Sequence, residues 1–90
     1  MQSLYDNIKE LTAAGRADDA VALAEEALAK REDAALFYLL GNAYAKAGKM
    51  GDAISAYKKA EHLDANSPAH EAREMLDGIM AFYNKDLYNP

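Results

Sequence analysis

The chain contains no cysteine and no tryptophan. Without thiols there are no disulfides, no thiolate metal sites and no cysteine nucleophile. The same absence fits a reducing compartment, and a cytoplasmic location is the expectation. Proline is scarce, at Pro68 and Pro90 only, so little interrupts a helix. No apolar run approaches the roughly 20 residues that cross a bilayer, so no membrane-spanning role is expected. The opening MQSLYDNIKE has no basic region followed by an apolar stretch, so no signal peptide is expected. Basic residues are the minority, 10 Lys+Arg against 15 Asp+Glu, for a net charge of −5. An acidic chain does not attract phosphate backbones, so nucleic acid and membrane surfaces are set aside as partners.

Alanine is abundant, at 20 of the 90 residues, and no strand-like alternation of any length occurs. This composition favours helix nearly throughout. Leu4, Ile8 and Leu11 share one face of a first segment that stops at Gly15. Ala20, Leu23, Ala24, Ala27 and Leu28 share a face of a second, with Asp18 and Asp19 in its first turn and Lys30 and Arg31 at its end. Those charges suit the helix dipole at both termini. Asp33 is placed to cap a third helix carrying Leu36, Phe37, Leu40 and Tyr44, which ends at Gly48. Asp52 opens a fourth, with Ala53, Ile54, Tyr57, Ala60 and Leu63 inward. Ser67 and Pro68 read as the cap and first residue of a fifth. That helix is expected to run to about Asn84, with Ala72, Met75, Leu76, Ile79 and Tyr83 inward, and residues 85–90 as a tail. The short connections force successive helices into antiparallel hairpins.

Shifted by 33 residues, the chain matches itself. Leu4 meets Phe37, Leu11 meets Tyr44, Ala14-Gly15 meets Ala47-Gly48, and Asp19-Ala20 meets Asp52-Ala53. The second copy reads Phe37-x2-Leu40-Gly41-x2-Tyr44, then Ala53-x3-Tyr57-x2-Ala60. This resembles the tetratricopeptide repeat, with its W-x2-L-G-x2-Y…A-x3-F…P pattern at a 34-residue period. Phe37 stands for the tryptophan, and Ala65 for the closing proline. In the first copy Ile8 replaces the glycine, Leu11 the tyrosine and Ala24 the aromatic of the second helix. The third unit opens at Pro68, with Met75 for the glycine and Gly78 for the tyrosine. The resemblance implies an all-α fold of five helices: antiparallel helix-turn-helix pairs stacked as a short right-handed solenoid. A single domain, 1–84, would divide into a degenerate repeat at 1–33, a well-matched repeat at 34–67 and a capping helix at 68–84.

Little here suggests catalysis. Ser3, Ser55 and Ser67 lack a nucleophile elbow, and Gly48-Lys49-Met50-Gly51 lacks the frame and preceding strand of a phosphate loop. Asp18-Asp19 and Glu25-Glu26 read as solvated helix residues. His62 and His70 fall at adjoining helix ends, and His70 has Glu74 at i+4, the spacing of a two-ligand metal site. Exposed histidines are the plainer reading, so neither a metal nor a cofactor is expected, and the chain is expected not to be an enzyme.

The resemblance implies a concave groove lined by the first helix of each pair. By position its wall would include Tyr5 and Lys9, then Tyr38, Asn42 and Lys46, then Ala69, Arg73 and Leu76. Tyrosines are common anchors at binding surfaces, the Asn42 amide can bond a peptide backbone, and Lys9, Lys46 and Arg73 can receive carboxylates. The family's chaperone-tail clamp is not expected, because only Arg73 fits it; Tyr5, Lys9, Leu39 and Ala69 occupy its other positions. The expected function is therefore protein–protein interaction, with a peptide or helical segment of a protein partner in the groove. The alternative is a self-associating homodimer formed through Met80, Phe82, Tyr83, Leu87 and Tyr88, which gather apolar mass where a solenoid should end in polar residues.

Overall fold

The computed structural model describes residues 3–83, with side chains described as far as Met80. Five helices follow in order: α1 (Leu4–Ala13), α2 (Ala17–Lys30), α3 (Ala34–Lys46), α4 (Met50–Leu63) and α5 (Ala69–Tyr83). No strand occurs among the described residues. Each helix packs on the next, and α1 also meets α3.

The joints follow from local chemistry. Gly15 and Gly48 both hold φ at 82°, a left-handed conformation that costs glycine nothing. Each closes a helix in the same way. Gly15 N–H donates to Thr12 O and Arg16 N–H to Leu11 O; Gly48 N–H donates to Ala45 O and Lys49 N–H to Tyr44 O. These paired bonds satisfy carbonyls that the helix end leaves open. Asp33 Oδ1 accepts from the N–H groups of Ala35 and Leu36 at 2.8 and 3.4 Å, capping α3 as its sequence position suggests. Ser67 Oγ likewise accepts from Ala69 N–H at 3.1 Å, at the start of α5. Helix α4 begins at Met50, two residues before the expected Asp52, because Gly48 completes the turn early and leaves Asp52 in the first turn.

The core is a stack of small residues with a few large ones. Ile8, Ala20, Ala24, Ala43, Ala53 and Ala60 are fully buried, and Leu36, Phe37, Leu40 and Tyr57 are nearly so. Gly41 matters by what it omits: a Cβ there would lie 2.4 Å from Tyr57 Cε1. Its absence lets the Tyr57 ring lie directly against α3.

Helix α5 departs from expectation. Its buried face runs through Ala69 and Leu76, and Ala72 and Met80 also pack against the core. Met75 and Ile79 are 64% and 41% exposed rather than inward. Two apolar stripes lie side by side on this helix. Its packing partner among the described elements is α4, so one stripe is covered and its neighbour is left to solvent. Of the apolar group expected at this end, Met80 is partly buried against the core. The side chains of Phe82 and Tyr83, together with Leu87 and Tyr88, lie outside the described residues.

Candidate functional site

Helices α1 and α3 touch directly, whereas no comparable contact joins α2 and α4. The first helices of the two pairs therefore crowd together on one side. Between them opens a cavity of about 180 Å³, lined by Lys9, Thr12 and Ala13 from α1 and by Leu39, Asn42 and Lys46 from α3. The spacing of Leu39, Asn42 and Lys46 puts all three on one face of α3.

Three expected groove residues, Lys9, Asn42 and Lys46, thus meet at one place. Both lysines are exposed, and neither has an ion-pair partner among the described residues. The other three are placed differently. Tyr38 lies on α3 with its ring 6.0 Å from that of Tyr57, tilted by 40°. Tyr5 donates its hydroxyl to Asp33 Oδ2 at 2.5 Å, so it ties α1 to the cap of α3. It lines a separate hollow with Leu4, Leu23 and Leu36. That bond holds the Asp33 carboxyl below its ordinary range and raises the Tyr5 phenol.

Arg73 is engaged within the protein. Its Nε donates to Glu61 Oε2 at 2.5 Å and its Nη1 to Asp77 Oδ2 at 2.7 Å. Two carboxylates already match its charge, so it offers a ligand less than its position suggests. Asp77 stands at i+4 from Arg73 and was readable from spacing. Glu61 lies on another helix, and no local signal marks it.

Tyr57 is the residue that sequence reasoning left out of the site. Its hydroxyl donates to Asn42 Oδ1 at 2.6 Å. The ring is 3% exposed, and burial, with Tyr38 alongside, pushes the phenol up to about 12. Tyr57 therefore stays a protonated donor at neutral pH and fixes which end of the Asn42 amide is occupied.

His70 sits at the α4–α5 junction. Its Nδ1 lies 2.6 Å from Glu61 Oε1, and its Nε2 meets Glu74 Oε1. A neutral imidazole has one N–H, so pairing both nitrogens with carboxylates requires the imidazolium. The Glu61 hydrogen bond first, and the Glu74 charge second, raise its pKa above the ordinary 6.5. A raised basic group stabilises the fold fully below its unfolded pKa, and this contribution fades as pH rises through the folded value. NMR titration is therefore expected to place the His70 midpoint above 6.5, with stability declining across that interval. Glu61→Gln should move the midpoint down; a wild-type midpoint at or below 6.5 would contradict the bridge. Among the described residues, no three His, Asp or Glu side chains are arranged to hold a metal ion.

Small residues at the helix crossings and paired hairpins with identical joints make a recurring unit. A family model described as Tetratricopeptide repeat matches residues 5–68. The chain belongs to the tetratricopeptide repeat family. Such repeats are in general non-catalytic modules that mediate protein–protein interaction. Among solved structures, this tetratricopeptide repeat protein is similar to the solution NMR structure of Bacteroides fragilis protein BF1650. The two share 41% identity over 99% of this chain and 91% of that one, with a TM-score of 0.88. Comparison with curated proteins gave no match. No helix among the described residues is long and apolar enough to cross a membrane.

Proposed function

We propose that this protein is a non-enzymatic interaction module that holds a peptide or helical segment of a protein partner against α1 and α3. The observation that carries this reading is the convergence of Lys9, Asn42 and Lys46 on one cavity, neither lysine having an ion-pair partner among the described residues. Tyr38 extends the same wall along α3. The first hairpin, 1–33, acts as the weaker repeat, 34–67 as the stronger, and 68–84 as a cap that closes the core. A cytoplasmic setting accords with the lack of cysteine. The footprint is small, so affinity on the order of micromolar or weaker is expected.

The test is selection of binders from a random peptide pool, followed by NMR mapping on the full chain. Shifts are expected at Lys9, Tyr38, Asn42 and Lys46. Shifts confined to α2 and α4 would overturn the groove.

A second reading rests on Met75 and Ile79, the exposed apolar pair on α5. Apolar patches of this kind mark interfaces, here one between two copies of the chain. Sedimentation over a concentration series should then show a dimer that Met75→Glu with Ile79→Glu abolishes. A concentration-independent monomer would remove this reading.

A further inference from the structure

The charged groups of the inner cavity, and the free end of its one side-chain amide, are donors. Lys9 and Lys46 carry ammonium groups without a carboxylate partner among the described residues. Asn42 contributes an amide whose oxygen already accepts the Tyr57 hydroxyl at 2.6 Å. The part of that amide left without a partner is Nδ2, which only donates. Thr12 directs its hydroxyl hydrogen to Ile8 O at 2.9 Å. Leu39 and Ala13 supply the apolar remainder of the wall. Two unmatched cations and a donor amide in one recess ask for an oxyanion. They stand out in a chain whose net charge is −5.

We propose that this recess receives an aspartate or glutamate side chain of an extended acidic segment, and that Tyr57 is the positioning residue that turns Asn42 into a donor there. The proposal rests on the groove reading and names the partner chemistry at that groove. A side chain is favoured over a chain terminus by the surroundings. The α3 wall continues from Lys46 past Asn42 to Tyr38, so a segment can run through. Arg73, the other basic residue expected on the groove wall, is held by Glu61 and Asp77. Binding of this type is salt-sensitive, because exposed charges are screened within about 8 Å at physiological ionic strength.

The experiment uses the full chain and three short synthetic peptides. The first alternates Glu with Ala and is acetylated and amidated. The second has Gln for each Glu. The third is the Gln peptide with a free C-terminal carboxylate. NMR follows the Asn42 side-chain NH2 and the backbone amides of Ala13 and Leu39. The Glu peptide is expected to shift these signals saturably, and added salt to weaken it. Lys9→Met with Lys46→Met should weaken it about tenfold or more. Asn42→Asp keeps an acceptor for Tyr57 but replaces the free donor by a carboxylate oxygen, so it should abolish binding with the fold retained. Tyr57→Phe should weaken binding several-fold while lysine-dependent salt sensitivity persists.

Equal binding of the Glu and Gln peptides overturns the acidic subsite while leaving the groove intact. Stronger binding of the free-carboxylate peptide overturns it in favour of a chain terminus. Full affinity in Asn42→Asp removes the role given to Tyr57. If Tyr57→Phe does not fold, Asn42→Asp alone decides that role. Failure of the groove itself is read separately, from selected random peptides that map away from α1 and α3.

Discussion

Truncating Tyr57 to alanine is expected to cost about 3–5 kcal/mol of unfolding free energy, the range for removing a buried aromatic. The ring is 3% exposed, lies against Gly41, and sits 6.0 Å from the Tyr38 ring. Ala53 and Ala60, which flank Tyr57 on the buried face of α4, are too short to fill the space its ring would leave. Domains of this size hold only about 5–15 kcal/mol in total, so the variant should be largely unfolded in modest urea. Tyr57→Phe separates the two contributions. It keeps the ring and loses the bond to Asn42, which is worth about 1 kcal/mol net. Urea denaturation followed by circular dichroism measures both. A loss below about 1 kcal/mol for the alanine variant would mean that the ring does not hold α3 and α4 together.

Gly41→Ala tests the other side of the same contact, and its sign is the informative part. In an exposed helix this change would be stabilising by about 1 kcal/mol, because alanine has the better intrinsic propensity. Here the new Cβ would stand 2.4 Å from Tyr57 Cε1 and 2.5 Å from Cδ1. The ring is pinned by its hydroxyl bond and by burial, so α3 and α4 must separate. A net loss of about 1–3 kcal/mol is expected. With Tyr57→Leu as the background the obstruction is gone, and the same substitution should become neutral or favourable. The double-mutant cycle isolates this coupling. Additive losses would show that the close approach of Gly41 to the ring is not what limits the site.

These two residues also show how much was legible beforehand. Gly41, Ala53, Tyr57 and Ala60 stand at fixed intervals, and the steric reason for each interval survives in the structure: three are buried small residues and one is the ring they admit. Asp33 as a cap and the glycine stops at 15 and 48 were readable because they depend on local backbone chemistry alone. Helix α5 was misread at Met75 and Ile79 because its apolar residues cover more than one stripe. Only the position of neighbouring helices decides which stripe is buried.

The site divides along the same line. Tyr38, Asn42 and Lys46 share α3, so helical spacing already grouped them. What spacing could not reveal was which polar groups are free to act. Arg73 is matched by Glu61, 12 residues away on another helix, and Tyr5 by Asp33, 28 residues away. Asn42 is oriented by Tyr57, again from a different helix. A hydrogen bond between helices leaves no periodic trace in the chain.

The matched closures at Gly15 and Gly48 carry one more consequence. Each joint closes on main-chain bonds and the torsion of a single glycine. The turn between paired helices therefore rests on backbone geometry and one glycine at each joint. Substitutions among the exposed residues of α1 and α3 leave those closing bonds intact, so the two turns persist while the surface between them changes.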